Sequence, residues 1–233
     1  MIAVFLDTAA VLMGSVIGLL CKKGIPQKLV DAVMLGIGLC TLYIGISGAL
    51  AGENTLVLIL SMVVGSLIGT ALDLEGKIGA FGNYLGRRFA KQAGGSNVAQ
   101  AFVTGGLLFC VGAMTIVGAL NVGLAGDGEM LYTKSVMDLI SSMMLAASLG
   151  IGILFSSAFV LVFEGALVLL AQVLAPILVQ SVIAEITCVG SVLIIALALN
   201  IMGITKIKVS NYLPAIVVAP PVWWLMDKVM ALL

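Results

Sequence analysis

Glu164 is the residue whose type and position carry the clearest chemical consequence. It stands between Phe163 and Gly165, about halfway along a long apolar run. An ionisable side chain at the centre of a membrane span costs about 2.5–3.5 kcal/mol on insertion scales, so such residues are candidates for function. We therefore predict that Glu164 binds a cation or exchanges a proton. The structural alternative is a protonated glutamic acid that hydrogen-bonds a neighbouring helix.

A second polar group lies earlier in the chain. Lys134, Asp138 and Ser142 follow one another at intervals of four residues, which places them on one face of a helix. Lys134 can pair with Asp138, and Asp138 with Ser142 can line a polar entrance for a solute. The alternative is a helix end whose ordinary charged side chains reach towards the membrane surface.

Asn200 is the remaining candidate, because an amide near the inner end of an apolar segment can coordinate an ion or cross-link two helices. Two further acids are given structural explanations. Asp7 is attributed to a position at the membrane interface, and Glu185 to the negative charge that a helix N-terminus favours. The predicted substrate- or ion-binding residues are therefore Glu164, Asp138, Lys134, Asn200 and Ser142.

Several classes of chemistry lack their residues in this sequence. There is no histidine, which excludes Ser-His-Asp and Cys-His catalysis. The four cysteines share no CxxC spacing, so neither a zinc nor an iron–sulfur site is predicted. No GxxxxGK segment followed by Ser or Thr is present, so a gradient would have to drive any transport. We expect no enzyme activity, no cofactor and no metal site.

The elements that must position these residues are membrane helices. Of the 233 residues, 62% are hydrophobic and 9% are charged, whereas a soluble domain carries roughly 25% charged residues. A soluble core of this length cannot hide so much apolar surface, so the excess must face lipid. The net charge of zero shows no footprint for nucleic acid. The expected partners are the lipid bilayer and a small solute or ion, with a homo-oligomer left open.

The predicted fold class is an all-α bundle that forms one membrane domain over residues 1–233. A membrane helix needs about 20 mostly apolar residues, and clusters of charge, Gly and Pro mark the breaks. An amphipathic helix over 73–92 is expected at the cytoplasmic surface. If 134–175 were not divided near Gly150, seven spans would remain. We predict eight, at 2–21, 30–50, 55–72, 99–120, 134–149, 153–175, 184–203 and 211–231.

Basic residues in the connecting segments predict the orientation, because Lys and Arg accumulate on the cytoplasmic side. With eight spans, one side receives Lys22, Lys23, Lys28, Lys77, Arg87, Arg88, Lys91, Lys206 and Lys208, and the other receives Lys134 and Lys228. The first side is therefore predicted to be cytoplasmic. Both termini then lie outside, in a multi-pass protein of the inner (plasma) membrane.

Short matches within the chain indicate an internal repeat. Gly14-Ser15-Val16-Ile17-Gly18 has a counterpart in Gly65-Ser66-Leu67-Ile68-Gly69. Glycine-rich apolar segments also match by chance, so both interpretations stay open. If the repeat exists, units 1–72 and 153–231 have opposite orientations, which is the inverted arrangement of many secondary transporters.

Two glycine-rich points can interrupt helices at membrane depth, Gly105-Gly106 and Gly150-Ile151-Gly152. Backbone carbonyls exposed at such breaks would offer ligands to a cation. The alternative is that these glycines permit close contact between helices.

Short stretches spread along the whole chain carry a family resemblance: Lys22-Lys23-Gly24-Ile25-Pro26, Gly36-Ile37-Gly38-Leu39-Cys40, Asp73-Leu74-Glu75-Gly76, 107–114, 131–135, 149–152 and 203–209. They resemble a bacterial inner-membrane family known as domain of unknown function 554 (YdfK/YqgA-like proteins). The resemblance implies a polytopic membrane protein for which transport is presumed, and it implies no substrate.

Together these observations predict a secondary transporter or permease for a small solute or ion. A gradient would drive it, and a mid-membrane carboxylate would be the coupling or binding group. Two other classes stay open: an oligomeric ion channel, and a structural or accessory membrane protein without transport activity.

Overall fold

A computed structural model describes residues 1–21, 27–80, 98–111 and 113–230, and every regular element within these ranges is helical. The predicted all-α class is confirmed. The helices are α1 (Ile2–Cys21), α2 (Gln27–Ala49), α3 (Thr55–Ala71), α4 (Leu74–Ala80), α5 (Val98–Cys110), α6 (Ala113–Ala125), α7 (Glu129–Leu149), α8 (Gly152–Leu169), α9 (Ala171–Leu174), α10 (Gln180–Ile201) and α11 (Pro214–Met230), with a 3₁₀ turn at Val209–Tyr212.

Length and composition show which helices can cross a bilayer. Within the described ranges, four segments are long and apolar enough: Ile2–Cys21, Gly152–Leu169, Gln180–Ile201 and Val209–Lys228. The number rises to six if each of two bent pairs, α3 with α4 and α5 with α6, is one span. The chain is thus a polytopic helical membrane protein. A helix occupies each of the eight predicted segments, while the total of eight spans stays a prediction.

The long run 134–175 is divided as predicted. α7 ends at Leu149, and Gly150 follows with a φ of 89°, which glycine adopts without strain. α8 then runs from Gly152 and ends at Leu169, short of the predicted 175. The segment 121–133, which separates two of the predicted spans, is mostly helical, since α6 continues to Ala125 and α7 begins at Glu129.

The predicted span 99–120 is not one continuous helix. α5 and α6 are bent by 58° between Cys110 and Ala113. Gly105-Gly106 was considered either as a break or as a close helix contact, and both glycines are buried inside α5. A Cβ on Gly105 would overlap the Ser156 side chain of α8. Gly105 therefore permits close packing of α5 on α8, which was the second of the two interpretations, and the helix is not interrupted at these glycines.

Glycines also bring α1 against α7. Gly14 and Gly18 of α1 face the backbone carbonyls of Leu139 and Met143, and neither position has room for a Cβ. Small residues let membrane helices approach this closely. In the matching motif of α3, Gly65 meets the backbone of Ala215 in α11 and Gly69 meets the backbone of Asn211 in the 3₁₀ turn, again without room for a Cβ. The two similar motifs thus have the same packing role.

The predicted repeat would relate α1 to α8, α2 to α10 and α3 to α11, and each of these pairs is in contact. Contact between two helices does not make them equivalent, so the repeat stays a prediction. Helix α4 occupies the beginning of the segment 73–92 and turns 56° away from α3, while its place at the membrane surface stays a prediction. Residues 81–92 lie outside the described residues.

Candidate functional site

Lys134 is surrounded by carboxylates from three different helices. Its Nζ lies 2.7 Å from Asp7 Oδ2 on α1 and 3.1 Å from Glu164 Oε1 on α8. On its own helix, α7, it donates a hydrogen bond to Asp138 Oδ2, one turn away. We call these four residues the acidic cluster. The predicted pairing of Lys134 with Asp138 is present in the structure, and Glu164 joins it.

The acidic cluster is enclosed by protein. Asp7 and Glu164 have no exposed surface, Lys134 is 5% exposed and Asp138 is 8% exposed. Lys134 and Asp138 are therefore not charges reaching towards the membrane surface, and that interpretation of them is wrong. Asp7 is not a residue of the membrane interface either, since it makes a buried ion pair.

The close approach of α1 to α7 builds this arrangement. Asp7, Gly14 and Gly18 belong to the buried face of α1. Ser142 of α7 packs directly against Gly14 and donates its hydroxyl hydrogen to the Leu139 carbonyl. Ser142 therefore belongs to the helix contact that positions the acidic cluster. The polar entrance that Ser142 and Asp138 were expected to line together is not formed by Ser142.

The carboxylate oxygens of the cluster are incompletely satisfied. Among the described residues, neither oxygen of Glu164 nor Oδ1 of Asp7 has a hydrogen-bond partner, although all three are buried. Glu164 Oε1 has the ammonium of Lys134 as its ion-pair partner at 3.1 Å, so the unused capacity lies mainly at Glu164 Oε2 and Asp7 Oδ1. Buried polar atoms without partners are rare and need an explanation, such as a bound proton, ion or water. The cluster thus has unused capacity to bind a positively charged or hydrogen-bonding species.

The depth of the cluster follows from its place along three helices. Asp7 lies five residues after the start of α1, Lys134 five after the start of α7, and Glu164 five before the end of α8. At a rise of 1.5 Å per residue, each lies about 8 Å from that helix end. Glu164 was predicted to lie midway along its helix. It lies nearer the C-terminal end, because α8 ends sooner than expected.

A cavity of about 310 Å³ adjoins the cluster. Lys134 and Asp138 form part of its wall, and α2 contributes a second wall that includes Thr41. The third wall is the break between α5 and α6, where Thr115 donates a hydrogen bond of 3.0 Å to the Phe109 carbonyl. A charged cluster, an interrupted helix and a cavity therefore meet at one place in the bundle.

Asn200 does not join this site. Its side chain organises the segment after α10: Nδ2 donates to the Ile207 carbonyl at 2.8 Å, and Oδ1 accepts from the Thr205 hydroxyl at 2.7 Å and the Ile207 amide at 2.9 Å. It lines a different cavity of about 320 Å³, together with Glu75 and Lys208. Asn200 and the acidic cluster therefore lie at separate cavities.

Glu185 is also structural, though not as predicted. It lies inside α10 rather than at its start, and it is fully buried. Its Oε1 accepts hydrogen bonds from the backbone amides of Glu53 at 2.9 Å and Asn54 at 2.7 Å. Glu185 thus satisfies the backbone amide of Asn54, the N-cap residue of α3, and that of the residue before it.

Comparison with known proteins shows the family of this chain. The profile of the family described as "Protein of unknown function (DUF554)" matches residues 2–224. The chain belongs to the DUF554 family. It is 33% identical over 226 residues to "Uncharacterized membrane protein YdfK" of Bacillus subtilis (strain 168), covering 95% of each chain. It is 32% identical over 220 residues to "Uncharacterized protein YqgA" of Escherichia coli (strain K12), covering 93% of this chain and 94% of that one.

The DUF554 resemblance predicted from short stretches is therefore confirmed over nearly the whole chain. No solved structure matches it. Within the described ranges, no group of three or more His, Cys, Asp or Glu is arranged to hold a metal ion.

Asp7 is the member of this DUF554 site that sequence reasoning missed. A signal was present, because Asp7 shares the face of α1 that carries Gly14 and Gly18. A face with small residues at such spacing is expected to contact another helix, so an acid on that face is buried. Its partner could not be identified in the same way, since Lys134 lies 127 residues further along the chain.

Proposed function

We propose that this DUF554 protein is a secondary transporter, or permease, for a small solute or ion and not an enzyme. It would act in the inner (plasma) membrane with both termini outside the cytoplasm, and an ion gradient would drive it. The observation that carries the proposal is the burial of Asp7, Asp138 and Glu164 around Lys134, beside a cavity at a broken helix.

The charge balance of the acidic cluster supports a coupling role. One ammonium facing three carboxylates leaves two negative charges in excess when every group is ionised. Uncompensated charge is expensive at membrane depth, so the cluster favours uptake of protons or cations. Binding or release at Glu164 changes the charge around Lys134 and therefore which carboxylates hold it. A gradient can act on the protein through that change.

The broken helix supplies an element that can respond. Discontinuous helices recur at transporter sites because their ends leave backbone groups available to a bound solute or ion. Here the break between α5 and α6 shares a cavity with Lys134 and Asp138. A rearrangement of the ion pairs therefore occurs next to the segment that is bent by 58°.

A pH-jump measurement tests the proposal without knowledge of the substrate. Proteoliposomes on a solid-supported membrane are expected to give a transient charge-displacement current when the external pH is changed. Glu164→Gln keeps the size of the side chain and removes its exchangeable charge, so the current should disappear. Glu129→Gln, at the exposed first turn of α7, removes the same charge outside the cluster and should preserve the current.

Other results would contradict the proposal. An unchanged current in Glu164→Gln would remove this residue from the mechanism. Sustained passive current with single-channel steps would instead indicate an ion channel. A wild-type protein that gives no current and co-purifies with a partner would indicate an accessory membrane protein.

A further inference from the structure

The cavity beside the acidic cluster is suited to a particular class of ligand. We propose that it binds a small organic cation, an ammonium group attached to an apolar body, with the ammonium at Asp138. This inference rests on the function proposed above, because it names the substrate class of the same site. It is carried by the charge of one wall, the apolar character of the others and the side on which the cavity opens.

The excess of carboxylates in the acidic cluster excludes an anionic ligand from the cavity beside it. Lys134 is the positive group of the cavity wall, but its ammonium already contacts Asp7, Asp138 and Glu164. An anion entering the cavity would have to displace one of these carboxylates and would add to a negative excess. A cation would reduce that excess, and Asp138 stands at the wall to receive it. A carboxylate at close range attracts such a cation strongly where water is scarce.

The size and lining of the cavity favour an organic cation over a bare inorganic ion. Its volume is about 310 Å³, whereas one water molecule occupies about 30 Å³ of liquid. Most of its lining is aliphatic, aromatic or thioether side chains, including Phe109, Met137 and Met144. Thioethers are flexible and polarisable, so they adapt to apolar bodies of different shape. The oxygen-bearing side chains of the lining are Asp138, Thr41, Thr115 and Ser141. With a single carboxylate among apolar side chains, the lining matches one ammonium group attached to an apolar body.

The opening of the cavity points to the same class. Ile44 and Met137 line it and are 48% and 56% exposed, so the cavity reaches the outer surface of the helix bundle, which faces lipid. An organic cation with an apolar body accumulates at membranes, whereas a hydrated inorganic ion does not enter from hydrocarbon. The route and the site therefore select the same chemistry.

A matched pair of probes tests the inference on the purified chain in detergent. Cyclohexylammonium and cyclohexanecarboxylate have the same apolar ring and opposite charges. By isothermal titration calorimetry, we expect cyclohexylammonium to bind at least about tenfold more tightly than cyclohexanecarboxylate, a preference that corresponds to one electrostatic contact. Sodium chloride at the same concentration should give no comparable binding.

Two variants locate the binding. Asp138→Asn removes the charge at the wall and should weaken cyclohexylammonium binding about tenfold. Asp127→Asn removes the same charge from the exposed segment before α7 and should leave binding unchanged. If Asp138→Asn unfolds at a lower temperature than the wild type, Cys40→Phe serves instead. Cys40 lines the cavity from α2 and is not a member of the acidic cluster, and its enlarged side chain should block the site.

The outcomes separate this inference from the proposed function. Equal binding of both probes, or preferred binding of cyclohexanecarboxylate, would overturn the charge argument and indicate an apolar groove for lipid. Binding of sodium alone would overturn the organic class. A pH-jump current without cyclohexylammonium binding would leave the transporter proposal standing and remove the ligand class. Binding without that current would confirm the site and contradict transport.

Discussion

Lys134 holds together three carboxylates that come from three helices. A buried ion pair contributes little net stability when both partners are present, because desolvation offsets the attraction. Removing one partner is different, since the remaining charges stay buried without compensation. Lys134 is the positive partner of all three ion pairs in the acidic cluster, so its loss has the largest effect of any single change there.

Replacing Lys134 with Met keeps a long side chain and removes the charge. We expect Lys134→Met to destabilise the protein by about 3–5 kcal/mol, the usual cost of leaving buried charges unpaired. Thermal unfolding in detergent would measure the change. Lys228→Met is the matched control, because Lys228 is exposed in the last turn of α11. Equal unfolding temperatures for the two variants would contradict a structural ion-pair network at Lys134.

At the scale of elements, the site depends on how closely α1 lies against α7. Asp7 reaches Lys134 because Gly14 and Gly18 allow the two backbones to approach. The connecting segments are held by other polar residues. Glu185 fixes the turn before α3, and Asn200 fixes the segment after α10. Glu185 and Asn200 thus support the backbone of connecting segments, whereas Asp7, Lys134 and their partners form the acidic cluster.

A methyl group at Gly18 tests this contact. Its Cβ would overlap the Met143 carbonyl, and overpacking of this kind costs about 1–3 kcal/mol. We expect Gly18→Ala to lower the unfolding temperature. The added methyl should also push α1 away from α7 and move Asp7 away from Lys134, which should lower the pH-jump current. Gly36→Ala has no atom within 4 Å of the added methyl and should be neutral or slightly stabilising. A Gly18→Ala protein that behaves like Gly36→Ala would show that the contact can relax.

At the scale of the whole molecule, orientation decides which face of the membrane lies nearer the acidic cluster. The cluster is about 8 Å from the N-terminal ends of α1 and α7. With both termini outside, as the basic residues predict, the cluster is nearer the external face. The segment with Lys206 and Lys208 then lies on the cytoplasmic side, together with the cavity lined by Asn200.

Reporter fusions test this orientation. Alkaline phosphatase attached after Leu233 is expected to be active and green fluorescent protein at the same place dark, because only the first folds outside the cytoplasm. Fusions after Gly203, between α10 and the 3₁₀ turn, should give the reverse result. A fluorescent fusion at Leu233 would overturn the predicted orientation, and with it the placing of the cluster near the external face.

The sequence by itself determined that this chain is a helical membrane protein and where most of its helices lie. Hydrophobic content and the spacing of charge, Gly and Pro are local properties, and a bilayer responds to them segment by segment. The division after Leu149 was predictable for the same reason. The pairing of Lys134 with Asp138 was also predictable, because residues four apart on a helix are neighbours whatever surrounds them.

Only the tertiary structure decided which polar residues meet. Asp7 and Glu164 reach Lys134 because α1 and α8 both pack near α7, and the sequence distance between these residues says nothing about that packing. Asn200 and Ser142 looked equally suitable by type, yet their helices direct them to a connecting segment and to Gly14. The break between α5 and α6 lies further along the chain than Gly105-Gly106. Gly105 instead allows α5 to pack closely on α8. Local composition sets which segments are helices, whereas the convergence of side chains depends on the contacts between whole helices.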